Sequence, residues 1–335
     1  MVNFKSIQFA IFSAVIVFFS CNRNSGNLIK DVKYFDLTKK AELSLIVDEY
    51  DEAGKYYKKA FKKAENGYPD DYYNAFLVAV KNRDKGFFYY NARKLAELGM
   101  CPEFFTKFKE HFVDSIKYMT IISQSKSNGM NGSYRDELEQ MLNDDQAVRY
   151  NWRENVEKMN EIDSLNFTKL KNLLDENGLP TANVIKIRCT ENNLGIQPMP
   201  YEIPLLHFVK HRYSGIDTLL RKLLVNIVIS PEQYAEYMAL LIQSKNSYIP
   251  VPVFVMGNNY YTYKLSDAEK KEVDIARKKI GAHTIDDHIK IILEGRKKKS
   301  GNKGNYNFRL PVLIEVYPYS PKMDSIAILL NVSNH

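Results

Sequence analysis

The chain has 335 residues, 45% hydrophobic and 26% charged, the balance of a folded protein and not of a disordered one. A net charge of +7 is mild for this length and does not suggest the concentrated basic face of a nucleic-acid binder, so no nucleic-acid partner is expected. Its three cysteines, Cys21, Cys101 and Cys189, have no CxxC spacing and are not a metal signature.

Lys5 is the only charge before Arg23, and Ile7 to Ser20 reads IQFAIFSAVIVFFS. Those 14 residues are too few for a span of about 20. A basic start, a short apolar core and a small residue before the cut describe a secretory signal peptide over 1–20. Phe18-Phe19-Ser20-Cys21 resembles the lipobox of bacterial lipoproteins, with Phe18 where leucine is usual. The resemblance implies lipidation of Cys21, cleavage before it and a membrane anchor. Asn22 in place of aspartate favours the outer membrane. Residues 21–35 are expected to be a polar tether. Net charge falls to +6 when Lys5 leaves, and the excess fits a solvated surface, acidic headgroups or glycans. In an oxidising compartment Cys101 and Cys189 form either a bridge or two separate buried thiols.

Residues 36–122 read as helices. In YDEAGKYYKKAFKKA, Ala53, Tyr57 and Ala60 fall at i, i+4 and i+7. In RDKGFFYYNARKLAELG, Gly86 follows Ala53 by 33 residues and Tyr90 takes the place of Tyr57. This period resembles the tetratricopeptide repeat, with Arg93 where a small residue belongs and the closing proline absent or displaced to Pro69. The resemblance implies helical hairpins, and either a groove for a partner protein through residues 36–110 or a spacer. Its tyrosines and phenylalanines read as packing more than as a stacking platform. SQSKSNGMNGS, residues 123–133, reads as a linker.

Residues 134–295 read as a second helical domain. One long stretch from Tyr134 ends at Gly178 and Pro180, a helix stop. Ile216, Leu219, Leu220, Leu223, Leu224 and Ile227 share one face, and Ser230-Pro231 opens the next helix. Asp145-Gln146 with Arg149, then Asp163, Asn166, Gly178-Leu179-Pro180 and His211 follow in an order that resembles a bacterial family catalogued as a domain of unknown function. That family is often exported and often lies beside tetratricopeptide-like repeats. Leu179, Lys210, Tyr213, Ala239 and Leu240 depart from its pattern. Asp145 and Arg149, four apart, face one side of a helix and can be a simple helix pair. Alternatively Arg149 binds an anion while Asp145 or His211 acts as general base, with Asp163 beside them. His207 and His211 have i, i+4 metal spacing without a third ligand.

YIPVPVFVM, GNN and YYTYKL predict a β-hairpin, with Pro250 and Pro252 placing its first strand at an edge. A helical pair follows, capped near Ser266 and turning at Gly281. Residues 296–335 are expected to be a basic loop and two strands that pair with each other. The expected fold class is mainly α: tetratricopeptide-like hairpins, a helical domain and a small C-terminal β-hairpin or sheet. The expected role is a lipid-anchored binding or scaffolding module without a cofactor. The alternative is an envelope hydrolase or a small-molecule or glycan binder using Asp145, Arg149, Asp163 and His211.

Overall fold

The computed structural model describes residues 29–64, 66–127, 132–150, 153–190, 193–242, 253–256, 259–301, 308–309, 315–317 and 327–330. The expected signal peptide and lipidated Cys21 lie outside these residues. Helices dominate: α1 (Ile29–Ile46), α2 (Tyr50–Ala60), α3 (Pro69–Lys81), α4 (Lys85–Glu97), α5 (Pro102–Thr106), α6 (Ser115–Ser127), α7 (Gly132–Arg149), α8 (Val156–Asn177), α9 (Ala182–Ile185), α10 (Glu202–Lys210), α11 (Ile216–Val225), α12 (Pro231–Ile242), α13 (Asp267–Lys279) and α14 (Ile285–Gly301). The mainly helical class with a small C-terminal sheet is therefore what the chain adopts.

Helices α1 and α2 form one hairpin, and α3 and α4 a second. Both turn on a left-handed residue, Asp48 (φ 62°) and Arg83 (φ 54°). In each turn the next N–H reaches five residues back, Glu49 to the Ser44 carbonyl at 3.0 Å and Asp84 to Ala79 at 2.9 Å. This is the Schellman closure, which satisfies carbonyls the helix end leaves free. The two hairpins bury different faces. Ala53, Tyr57 and Ala60 are fully buried on α2, whereas α4 buries Phe87, Phe88, Ala92, Leu95 and Ala96. Gly86 and Arg93 are exposed. A guanidinium on that stripe cannot be buried without a partner, so the stripe turns outward. The aromatic residues are packing: Phe76 meets Phe88, Phe104 and Phe108 at 4.9–5.3 Å between ring centroids.

Three expected boundaries move. Helix α1 begins at Ile29, inside the expected tether, and buries Tyr34 and Phe35. Helices α6 and α7 cover residues 123–127 and 132–133 of the expected linker; 128–131 lie outside the described residues. One hydrophobic core runs from Tyr34 to Ala282, so the two helical regions share an interior. The long stretch after Tyr134 is two helices, α7 and α8, and Gly178 (φ 75°) ends the second as expected.

Cys101 and Cys189 are bridged, with Cα atoms 5.6 Å apart. The bridge ties the start of α5 to β1 (Arg188–Thr190), which pairs antiparallel with β2 (Asn193–Gln197). Sequence periodicity had not indicated this pair of strands. Arg135, 5% exposed, holds the same segment by donating from Nη1 to the Ile185 carbonyl at 2.9 Å and the Lys186 carbonyl at 3.0 Å.

The predicted hairpin is β3 (Val253–Met256) with β4 (Asn259–Tyr263). Strand β3 is not an edge: β5 (Glu315–Tyr317) pairs parallel to it, and β6 (Ala327–Leu330) pairs with β4. The order is β5-β3-β4-β6. Pro250 and Pro252 lie outside the described residues. The last two strands therefore sit at opposite edges instead of pairing with each other. The run Arg296–Lys299 belongs to the end of α14, not to a loop. Ser266 and Glu269 make a full capping box on α13. Gly281 (φ 83°) closes the turn into α14, where an added Cβ would stand 2.7 Å from the Phe35 Cβ.

Candidate functional site

Asp145, Arg149, Asp163 and His211, distant in sequence, come together where α7, α8 and α10 meet. Arg149 stands one helical turn after Asp145 and crosses to α8, donating from Nη2 to both Asp163 oxygens at 2.8 and 2.9 Å. Its Nη1 lies 3.3 Å from Asp145 Oδ1. His211, at the C-terminal end of α10, places Nε2 2.8 Å from Asp163 Oδ2. Asn166 anchors α8 to α7 by donating to the Met141 carbonyl at 3.0 Å. His207 stands 3.7 Å from Asp145 Oδ2, and Gln146 donates to that oxygen at 2.6 Å.

Both carboxylates are buried, at 0% and 1% exposure, while the His211 side chain is 37% exposed. Burial raises the Asp145 carboxyl above its usual range; Arg149 pulls against this and the neighbouring Asp163 adds to it. Burial, then the Arg149 charge, pushes the His207 imidazole down to about 4. The two histidines thus serve different carboxylates. Among the described residues no group of three or more His, Cys, Asp and Glu side chains is placed to hold a metal ion. Phe167 and Tyr213 stack at 4.6 Å, and Tyr213 lies 5.7 Å from the His211 ring. The aromatic ring at 213 packs beside the imidazole.

A second site was not visible in the sequence. A cavity of about 400 Å³ opens where the first two hairpins meet α10, α12 and the α13–α14 turn. Five carboxylates line it: Glu42, Asp70, Asp71, Glu202 and Glu232. The cations of the lining are already engaged. Lys39 donates to Asp36 and to the Ala282 carbonyl, both at 3.3 Å. Arg309 donates from Nε to Asp70 at 2.6 Å and is clamped through its backbone by Asn74. Tyr34 donates to Asp71 at 2.6 Å and accepts from the Tyr68 N–H at 2.8 Å.

Behind the wall sits a buried ion pair, Glu232 with the fully buried Arg277. Glu232 also accepts from the His283 N–H at 2.8 Å and lies 3.3 Å from His288 Nδ1. Burial alone would raise the Glu232 carboxyl; Arg277, then His288 and His283, hold it well below the usual range. Burial raises Glu42 and Asp71 strongly, with Glu232 adding to the first and Glu42 to the second. Burial pushes Glu202 up to about 7, against the Met199 and Gln233 hydrogen bonds. Burial pushes the His283 imidazole down to about 4. These residues come from five separate stretches, Glu42, Asp70-Asp71, Glu202, Glu232 and His283, so no spacing announces them.

No family model matches the chain, and no curated protein or solved structure matches it.

Proposed function

We propose that this protein is a lipid-anchored binding module of the cell envelope, held through Cys21, at the outer membrane of a two-membrane bacterium, with a small-molecule ligand in the cavity. The cavity carries this reading. Its volume of about 400 Å³ falls within the range that accepts drug-sized ligands, and polar side chains converge on an apolar lining that includes Phe35, Ile196, Met199 and Tyr201. Residues from α1 and the start of α3 form one wall, so a partner protein touching 36–110 would sense whether the cavity is filled. The apolar run before Cys21, and the disulfide, fit an exported chain.

A second reading is an envelope hydrolase at Asp145, Arg149, Asp163 and His211. One observation favours it: a buried carboxylate, Asp163, orients a half-exposed imidazole, His211, the pairing a general base needs. Against it, Arg149 is engaged by both carboxylates and so has little left for an anionic substrate.

The test compares wild type with Ala182→Trp, which fills the cavity from α9, in thermal melts against a mixed panel of cationic, neutral and anionic metabolites. Compounds that raise the melting temperature of wild type and not of a folded Ala182→Trp support the reading. A panel that stabilises both proteins equally, or neither, sinks it. Loss of membrane association in Cys21→Ser tests the anchor.

A further inference from the structure

The cavity of the proposed binding module is unbalanced in charge. Among the described residues no Lys or Arg forms an ion pair with Glu42, Asp71 or Glu202, while the two lining cations are spent on Asp36 and Asp70. Burying a carboxylate without a cation is costly, and the group takes up a proton instead. The upward shifts of these three groups agree with that geometry.

A second observation is independent of the carboxylates. His283, 2% exposed, lines the cavity, and its Nδ1 has no hydrogen-bond partner. Its Nε2 meets Glu42 Oε2. With Glu42 ionised, Nε2 carries the proton and donates, which leaves Nδ1 as a lone pair asking for a donor. Aromatic faces at Phe35, Tyr68 and Tyr201 complete a lining that suits a cation with an apolar stem.

We propose that the cavity binds a small organic cation, an amine or guanidine on a short apolar chain, with Glu42, Asp71 and Glu202 as counter-charges and His283 as a hydrogen-bond acceptor. This rests on the reading of the cavity as a ligand site and adds the ligand's charge. Arrival of the cation restores the ionised carboxylates, so protons leave to solvent as it binds. Binding therefore tightens as pH rises from 6 to 8.

The experiment is calorimetry on the full chain in detergent, with putrescine and agmatine as probes and with the uncharged N,N′-diacetylputrescine, a neutral sugar and a dicarboxylate alongside. Titrations in two buffers of different ionisation enthalpy count the protons released. The expected result is binding of the cations, weakened at least tenfold in the isosteric Glu202→Gln and Asp71→Asn, lost in Ala182→Trp, with net proton release. Binding of only neutral or anionic compounds, blocked by Ala182→Trp, would overturn the cation and leave the ligand site standing. Equal cation binding in wild type and Glu202→Gln, or binding without proton release, would overturn it too. No binding of any probe would overturn both.

Discussion

Removing the Cys101–Cys189 bridge should destabilise the protein by a few kcal/mol, and the size follows from the loop it closes. The sequence separation is 88 residues. The chain-entropy relation puts the cost of closing a loop of that length near 4.6 kcal/mol at 25 °C, and native bridges deliver about 2–5 kcal/mol when removed. The bridged ends are also held without it. Ile187 donates to the Leu98 carbonyl at 2.8 Å, Lys186 Nζ to the Glu97 carbonyl at 2.9 Å, and Arg135 clamps the same segment. These contacts keep the native geometry once the sulfurs part, so the loss falls on the unfolded state. The prediction is a stability lower by about 3–4 kcal/mol in Cys101→Ser/Cys189→Ser, with a raised urea m-value because the freed unfolded chain exposes more surface, measured by denaturation without reductant. The folded spectrum should be retained. A loss under about 1 kcal/mol, or two titratable thiols in place of the bridge, would refute the reasoning.

Asp163→Ala should cost about 3 kcal/mol, because it removes the bidentate partner of the Arg149 guanidinium, 17% exposed, and the partner of His211, leaving Arg149 to Asp145 alone; urea denaturation measures it. The His207 ring should titrate near pH 4 by NMR. Its folded value lies below the unfolded one, so the unfolded chain binds the extra proton. Stability relative to His207→Asn therefore falls as pH drops from about 6.5 to 4, by roughly 3 kcal/mol at most. A difference that stays constant over that window would exclude a buried neutral imidazole. Gly281→Ala should lower stability by 2 kcal/mol or about that, since φ of 83° and the Phe35 Cβ both oppose a side chain there; thermal melts measure it, and an unchanged melting temperature would mean that the turn is not held tightly against α1.

Much of the helical content was legible because local chemistry fixes it. Ser266 with Glu269, Ser230 before Pro231, and Gly178 each make the cap or stop that their residue types imply. Asp145, Arg149, Asp163 and His211 stood out in the sequence as candidates, but that they meet was not legible there: the contacts between them come from the packing of α7, α8 and α10. What failed was the inference from local polarity to chain breaks. Residues 29–35 and 123–127 are polar or mixed, yet helical, because Tyr34 hydrogen-bonds Asp71 and Ile121 is buried: tertiary contacts outweigh a weak local signal. The prolines before β3 suggested an edge, but β3 pairs with β4 on one side and β5 on the other. The cavity left no trace in the sequence at all. Its carboxylates come from α1, α3, α10 and α12, and only the packing of one continuous core brings them together.

The two candidate sites share only α10, at its opposite ends, which makes one measurement decisive. Hydrogen exchange would be followed by mass spectrometry on the full chain, with and without the compound that gives the largest thermal shift. The ligand-site account predicts slowed exchange at residues 66–71, 196–202 and 226–233, the backbone that walls the cavity. Protection confined to residues 145–149 and 207–211 would contradict it and move the function to Asp163 and His211.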